Sequence, residues 1–273
     1  MPRQRERFER TDVPRENPNR NIIALAVIAA VAVAMVLLCS TLWARVQREV
    51  HLGDNNLEDA ISGVSAASSI DGHAASTDSF DKVLVLTTSS LGDGGCTLSG
   101  AYALVVNETQ GTAVMATIPT TVKVTSSDTD YTLADLCSKS GTAAVIVPLF
   151  SATNVSFDHV IVTKSSVDDL LTLLAGASGS SADSFVSDNG SLLDAMTTDM
   201  SADKMITLAS ELKTLGVSNV GRIDASTYAE TTQADDGTTT DTGYQLVDIV
   251  ALEQSVGLLI SQSVRRPNAT VHP

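Results

Sequence analysis

Few residues of this chain combine the types and the spacing that catalysis requires. Two pairs of adjacent aspartates occur, at Asp168–Asp169 and Asp235–Asp236, and we interpret them as a solvated helix start and a polar loop rather than as acid–base pairs. His159 follows Asp158 in a predicted strand, where we favour a structural role over a catalytic one. The chain has no Gly-x-Ser-x-Gly elbow, and the turn GDGG at 92–95 lacks the adjoining lysine of a phosphate-binding loop.

One uncharged corner raises a question about binding chemistry. The stretch TIPTTVKV at 117–124 ends a predicted strand with Ile-Pro and then places two threonines, without a charge, at the corner. Hydroxyl groups such as those of Thr97 and Thr120 can hold a neutral glycan or a peptide. Packing in the core or in a loop explains these threonines equally well, so the residues alone leave both interpretations open.

Two of the three cysteines can form a disulfide if the later part of the chain is exported. Cys39 lies inside a long apolar run, whereas Cys96 and Cys137 lie in the later part of the chain, where a disulfide persists if that part is exported. Two buried free thiols are the alternative. No Cys or His pair has the spacing of zinc ligands, so we predict no metal site.

The charge is strongly acidic and unevenly distributed. The chain has 273 residues and a net charge of −15, with 17 basic and 32 acidic residues. Residues 1–50 hold eight of the basic and five of the acidic residues, which leaves 9 basic against 27 acidic, a net of −18, in the remainder. Such a surface repels nucleic acid and anionic lipid, and we exclude nucleic-acid binding.

The N-terminal part has the pattern of a membrane anchor. Residues 21–43 contain no ionisable side chain except Cys39 and have about the length of a helix that crosses a bilayer. Six arginines in residues 1–20 predict a cytoplasmic N-terminus. Because the apolar run is longer than the core of an ordinary signal peptide, we predict an uncleaved single-pass anchor in the cell membrane, with the C-terminal domain extracytoplasmic. A cleaved signal peptide is the alternative.

Beyond residue 80, predicted strands alternate with predicted helices. The strands cover 82–88, 101–107, 112–118, 156–163 and 218–226, and the helices cover 131–141, 142–154, 165–176, 192–198, 202–215 and 249–262. The low-complexity stretch 177–191 is a predicted loop, and 227–243 is a predicted polar loop or hairpin. The first strand contains an uninterrupted apolar run at 83–86, which is typical of a sheet covered by helices on both faces. We therefore predict an α/β fold, a three-layer α/β/α sandwich with a mixed sheet.

The predicted organisation has five segments. They are a basic cytoplasmic tail at 1–20, a transmembrane helix at 21–43, a juxtamembrane spacer at 44–79, a folded domain at 80–262 and a disordered tail at 263–273. The spacer is assigned from its small, polar and acidic composition, and we interpret 52–64 as a short helix or spacer that is followed by a flexible linker.

This element order behind a single anchor resembles the LytR-CpsA-Psr family of bacterial cell-envelope proteins. KVLVLTTSS resembles the opening strand of the family, and TLSGAYALVVNETQGTAVMATIPTTVKV resembles its hairpin with an Ile-Pro corner. FDHVIVTKSSVDDLLTLLAG is similar to its next strand and helix, and LLDAMTTDMSADKMITLASELKTLGVSNV to its C-terminal helical part. Together these stretches cover about 80–262. None is a strict signature, and the resemblance rests on their order and spacing.

The resemblance implies transfer of an anionic glycopolymer from a polyprenyl pyrophosphate carrier to peptidoglycan, aided by Mg²⁺. That chemistry requires arginines that bind the pyrophosphate and carboxylates that bind the cation. The family typically has Gly-Thr-Asp-Ser-Arg, Arg-Ser-Asp-Thr and Ile-Pro-Arg-Asp at three strand ends. This chain has Thr-Thr-Ser-Ser-Leu at 87–91, Thr-Leu-Ser-Gly at 97–100 and Ile-Pro-Thr-Thr at 118–121. Between residues 49 and 264 the only arginine is Arg222.

We therefore expect a vestigial binding cleft without catalytic residues, metal or cofactor. Its predicted residues are Ser89, Thr97, Ser99, Thr120 and Thr121, with Cys96–Cys137 as the candidate disulfide. The expected function is that of a non-catalytic binding or regulatory protein of cell-wall assembly, whose partners are the membrane and either active family members or cell-wall glycan. Two alternatives stay open: an active transferase that uses Mg²⁺ through an altered site, and an unrelated exported α/β binding module.

Overall fold

A computed structural model describes residues 20–49, 51–92, 94–177, 179, 181–233 and 237–261. The predicted basic tail, apart from Arg20, and the predicted disordered tail at 263–273 lie outside these described residues. The chain separates into two units, residues 1–46 and 47–273, and each is described by itself.

Most of α1 (Arg20–Glu49) belongs to the first unit, and this helix includes the whole predicted span 21–43. Large apolar side chains between residues 25 and 38 are exposed, and Leu25 keeps 69% of its surface accessible. In the portion of the chain that the structure describes, no helix meets the length and apolarity needed to cross a membrane.

The second unit is built around a mixed six-stranded sheet with the order β8-β7-β2-β3-β4-β9. The strands of the unit are β1 (His73–Ala75), β2 (Phe80–Thr88), β3 (Leu98–Asn107), β4 (Thr112–Ile118), β5 (Lys123–Ser126), β6 (Thr129–Thr132), β7 (His159–Thr163), β8 (Met196–Thr198), β9 (Gly221–Asp224), β10 (Thr227–Gln233), β11 (Thr239–Val247) and β12 (Leu259–Ser261). Strand β3 is antiparallel to β2 and β4, β7 is parallel to β2, and β9 is parallel to β4. Strands β2, β4, β7 and β9 therefore end at the same edge of the sheet, where β3 begins.

Helices cover both faces of this sheet. They are α2 (Asn55–Ser62), α3 (Leu133–Ser140), α4 (Ala143–Thr153), α5 (Val167–Gly176), α6 (Ala182–Asp188), α7 (Gly190–Leu193), α8 (Ala202–Leu215) and α9 (Ile249–Ser255). Because side chains alternate along a strand, β2 supplies Leu84 and Leu86 to one core and Val83 and Val85 to the other. The first core is completed by α2, α3, α4 and α9, and the second by α5, α6, α7 and α8. The predicted α/β class and mixed sheet are confirmed.

The folded unit begins earlier in the chain than the sequence predicted. Within the predicted spacer 44–79, Leu57 of α2 is buried in the first core, and Leu52 forms a bridge to Thr198 of β8. Strand β1 pairs with β12, near the other end of the unit. The helix alternative for 52–64 agrees with α2, whereas β1 was missed because its partner β12 lies far away in sequence.

Three predicted elements differ from the structure. The predicted loop 177–191 contains α6. This helix begins with a capping box formed by Ser181 and Ser184, and its Phe185 is buried. Only the last two residues of α7 fall within the predicted helix 192–198. The chain then forms β8, which pairs antiparallel with β7. The predicted helix 249–262 stops after α9, where Gly257 has a φ of +82°, and the chain continues as β12.

The described residues of the region 227–243, predicted as a polar loop or hairpin, belong to the β10–β11 hairpin, which is a separate two-stranded sheet. The Asp235–Asp236 pair, predicted to lie in a polar loop, falls outside the described residues. Strands β5 and β6 form another short hairpin directly after the Ile-Pro corner.

Candidate functional site

Ser89 and Thr97 lie opposite each other at the edge where β2 ends and β3 begins. Thr88 pairs with Leu98 and Thr87 with Gly100, so the ladder contains a bulge just before the edge. Beyond the ladder, the Ser89 N–H donates to the Thr97 carbonyl at 3.0 Å, and the Thr97 N–H donates to the Ser89 hydroxyl at 3.2 Å. Both residues are exposed. Their polar groups thus close the loop 89–97 and leave the side chains at the surface.

Ser99 contacts the end of β2 through the bulge. Its hydroxyl lies 3.0 Å from both the carbonyl oxygen and the hydroxyl of Thr87. The Thr87 hydroxyl also donates to the Gly100 carbonyl at 3.3 Å. Thr87 is buried, with 5% of its surface exposed, so this hydroxyl pair stabilises the bulge. Sequence reasoning named Ser99 but missed Thr87, because the bulge that joins them cannot be read from residue spacing.

The Ile-Pro corner forms the start of the β5–β6 hairpin and of α3. The Val122 N–H donates to the Pro119 carbonyl at 3.1 Å, and the Ala134 N–H, in the first turn of α3, donates to the Thr120 carbonyl at 3.0 Å. Thr120 is half-buried and Thr121 is exposed. The corner therefore serves as a structural junction through its backbone, and the Thr121 side chain faces solvent.

A disulfide between Cys96 and Cys137 connects the loop 89–97 to α3, with the two Cα atoms 5.7 Å apart. The Cys96 N–H also donates to the Cys137 carbonyl at 3.2 Å. At the neighbouring Gly95, an added Cβ would collide with the Ser138 carbonyl. The loop and the helix are thus in close backbone contact at this point, and only glycine fits at position 95.

The cations nearest to the corner are already paired. Lys123 Nζ lies 2.8 Å from Asp130 Oδ2 and 2.6 Å from Glu230 Oε1, and these hydrogen bonds raise the pKa of the Lys123 ammonium. Lys139 Nζ donates to the Tyr131 hydroxyl at 2.6 Å.

Lys164 is the one basic residue that directly adjoins a strand end at this edge in the part of the chain that the structure describes. It follows β7, whose Thr163 pairs with Thr87 of β2, and its side chain is exposed. Sequence reasoning missed it because the parallel pairing of β7 with β2 was not predicted.

A cavity of about 370 Å³ lies beside Leu91, which follows β2. Its polar lining includes Asp54, Asn56, Asp59, Thr142 and Thr197. Asp54 begins α2 by accepting the Asn56 N–H at 2.9 Å. Two carboxylates and no lysine or arginine line this cavity, so its electrostatic field disfavours a pyrophosphate.

The donor set at the edge does not fit Mg²⁺. A hard cation prefers carboxylate oxygens, whereas the edge presents hydroxyls from Ser89, Thr97 and Ser99. Among the described residues, no group of three or more His, Cys, Asp or Glu side chains is arranged to hold a metal ion.

The five predicted residues therefore lie along one sheet edge but do not converge on a common point. Ser89 contacts Thr97, Ser99 contacts Thr87, and Thr120 contacts α3. His159, set aside as structural, pairs with Asp199, whose Oδ2 lies 2.8 Å from its Nδ1. Asp158, its neighbour in sequence, instead pairs with Lys82 at 2.7 Å.

Several solved structures are similar in fold to this chain, although their sequences share few identical residues with it. A scan against protein-family models finds no matching family, and a search of curated proteins finds no similar sequence. Similar solved structures include TagV from Bacillus subtilis, with 10% identity over 66% of this chain and 95% of that chain, at a TM-score of 0.45. TagT from Bacillus subtilis has 14% identity, coverage of 71% and 94%, and a TM-score of 0.41. Lin1025 from Listeria innocua has 12% identity, coverage of 65% and 95%, and a TM-score of 0.44.

TagV and TagT are members of the LytR-CpsA-Psr family. Because all three TM-scores are below 0.5, these similarities do not by themselves place this chain in that family.

Proposed function

We propose that this protein is a membrane-anchored, non-catalytic relative of the LytR-CpsA-Psr proteins that acts in cell-wall assembly by binding a partner. The family assignment rests on the order and spacing of the matching stretches, including the Ile-Pro corner. The proposed partners are an active family member or cell-wall glycan. The proposed location of the second unit is outside the cytoplasm.

The observation that carries the non-catalytic proposal is the shortage of cations at the sheet edge. A pyrophosphate carries several negative charges and is held by bidentate arginines. At this edge the described residues present hydroxyls that bond to one another and to the backbone, with Lys164 as the only adjoining cation. One lysine acts as a point charge and cannot replace several guanidinium groups.

Two features support the proposed anchor. Residues 21–43 contain no charged side chain, and the apolar side chains of α1 between residues 25 and 38 are exposed. An exposed apolar surface of this kind is typical of a segment that contacts lipid or another protein.

The proposal is tested by introducing two arginines at the sheet edge where β2 ends and β3 begins. The full chain, purified in detergent, is compared with a Thr97→Arg/Thr120→Arg variant for binding of a polyprenyl pyrophosphate in the presence of Mg²⁺. Each charge-assisted hydrogen bond contributes about 1.5–3 kcal/mol, so we expect the variant to bind at least about tenfold more tightly than the natural chain. We expect no hydrolysis of the lipid by the natural chain.

A matched control adds the same charge elsewhere. Thr227→Arg/Thr239→Arg places two arginines on the exposed β10–β11 hairpin, and its affinity for the lipid should stay close to that of the natural chain. Turnover of the lipid pyrophosphate by the natural chain would refute the non-catalytic proposal. Equal gains in the two double variants would show that net charge, not the edge, governs binding.

A further inference from the structure

A cavity of about 300 Å³ lies on the first-core side of the sheet, at the opposite end of β2 from the hydroxyl edge. Its walls come from the segment 67–70, from β1, from the start of β2 and from α9 and β12. Apolar contacts are provided by Ile70, Phe80, Leu258 and Leu259, and its volume lies at the lower end of the range of small-molecule pockets.

Glu253 lines this cavity and is almost completely buried, with 4% of its surface exposed. Its Oε1 accepts a hydrogen bond from Asn154 Nδ2 at 2.7 Å. Its Oε2 has no hydrogen-bond partner among the residues that the structure describes, and this oxygen keeps some accessible surface. The free oxygen therefore remains accessible to an occupant of the cavity.

The two basic side chains that line the cavity are engaged elsewhere. Lys82 Nζ lies 2.7 Å from Asp158 Oδ2, and His73 Nδ1 lies 3.0 Å from Gln254 Nε2. No ion pair to Glu253 exists in the described part of the chain, and burial raises the pKa of its carboxyl group. A buried carboxylate without a counter-ion is costly, and a bound cation removes that cost.

We propose that this cavity binds a small aliphatic ammonium compound, whose ammonium donates to Glu253 Oε2 and whose hydrocarbon part contacts Ile70, Phe80 and Leu258. A neutral alcohol of the same length makes the apolar contacts and one hydrogen bond but does not neutralise the carboxylate. The site therefore distinguishes an amine from an alcohol by charge.

Asn154 links this cavity to the segment that covers it. Its Oδ1 accepts the Ser68 N–H at 2.8 Å, and its Nδ2 donates to the Ser68 carbonyl at 2.9 Å as well as to Glu253. Asn154 ends α4 in the left-handed region, with a φ of 56°. A ligand that fixes Glu253 therefore also stabilises the 67–70 segment through this one side chain.

The test is calorimetric titration of the detergent-purified full chain with n-butylammonium chloride and, separately, with n-butanol. We expect saturable, one-site binding of n-butylammonium in the millimolar range and binding of n-butanol at least about tenfold weaker. Glu253→Gln keeps the shape and the Asn154 contact but removes the charge, so it should weaken n-butylammonium binding about tenfold. The melting temperature should rise with n-butylammonium in the natural chain only.

Two further variants separate binding from folding. Glu58→Gln removes an exposed charge from α2, away from the cavity, and should leave binding unchanged. Ser156→Leu fills part of the cavity while keeping Glu253 and should abolish binding without lowering the melting temperature. The proposal is overturned if the binding of n-butylammonium to the natural chain does not saturate, in which case water is the occupant of the cavity. It is also overturned if n-butylammonium binds the natural chain and Glu253→Gln with equal affinity.

Discussion

At the scale of single residues, His159 illustrates how sequence neighbours mislead. The adjacent Asp158 was the obvious partner, but it pairs with Lys82, and His159 pairs with Asp199, forty residues away. Asp199 also accepts the Val160 N–H at 2.6 Å. This arrangement follows from the antiparallel pairing of β7 with β8, which was predicted as a helix, so no local pattern could have indicated it. The structural role predicted for His159 agrees with a side chain that connects two strands.

The His159–Asp199 pair predicts a pH-dependent contribution to stability. The hydrogen bond that the protonated His159 ring donates to the Asp199 carboxylate raises the pKa of His159, against the opposing effect of burial. A raised folded-state pKa means that the stabilisation is complete below the unfolded value of about 6.5 and is lost as the pH rises through the folded value. His159→Gln should therefore lower the free energy of unfolding by about 1 kcal/mol more at about pH 5.5 than at about pH 8.5.

Chemical denaturation of both proteins at the two pH values measures this difference. His51→Gln is the control, because His51 forms no ion pair among the described residues. A loss in His159→Gln that does not vary with pH would contradict a charged pair and indicate packing alone.

At the scale of elements, predictability depended on local signals. Helices α5 and α8 have a serine cap, apolar residues at helical spacing and a nearby glycine, and the sequence predicted both within about two residues. Strands β2 and β4 were similarly clear from their apolar and β-branched residues. Elements that depend on distant partners were missed: β1 pairs with β12, and β8 is defined by β7 and by Leu52. The predicted cleft residues lie along one edge of the sheet, but their contacts there depend on a bulge that residue spacing does not indicate.

The connection between the loop 89–97 and α3 gives a prediction at this scale. The disulfide joins residues 41 positions apart, and in the chain-entropy model a cross-link of this length stabilises a fold by about 4 kcal/mol. The Cys96→Ala/Cys137→Ala variant should lose a free energy of unfolding of that order, and reduction of the natural chain should have the same effect. Denaturant unfolding under oxidising and reducing conditions measures both losses. Cys39→Ala should change neither, and a double variant as stable as the natural chain would mean that the bond contributes nothing.

At the scale of the whole molecule, acidic residues outnumber basic ones by 32 to 17, and several carboxyl groups have raised pKa values. Burial raises the pKa of Asp81, and the nearby Asp158 and Glu108 add to this effect while His159 and Lys204 oppose it. Glu211 on α8 has a raised pKa through burial and through Asp81 and Glu108, and its Oε2 has no hydrogen-bond partner. Asp81 and Glu211 are half-buried on the side of the sheet that α8 covers, so deprotonation places repelling charges where water screens them less than on the open surface.

The carboxyl groups with raised pKa values predict that stability falls as the pH rises. For Asp81, Glu211 and Glu253 the folded chain binds more protons than the unfolded chain between their ordinary pKa values of 3.8 to 4.5 and the higher folded-state values, so unfolding becomes easier as the pH rises through that window. Asp130 and Glu230 act in the opposite direction, because hydrogen bonds from Lys123 lower their pKa values and that stabilisation is lost in acid. We therefore expect the melting temperature to pass through a maximum in mildly acidic buffer and to decline as the pH rises through the folded-state pKa values of these three groups.

Scanning calorimetry from about pH 4 to pH 9 locates this maximum, and Asp81→Asn should flatten the decline on its alkaline side. Added salt should reduce the same decline, because counter-ions screen the net charge of −15. Asp183→Asn removes an equal charge from an exposed helix start and serves as the control. If both variants flatten the curve equally, net charge alone sets the pH dependence, whereas a larger effect of Asp81→Asn assigns it to the half-buried carboxyl groups on the α8 side of the sheet.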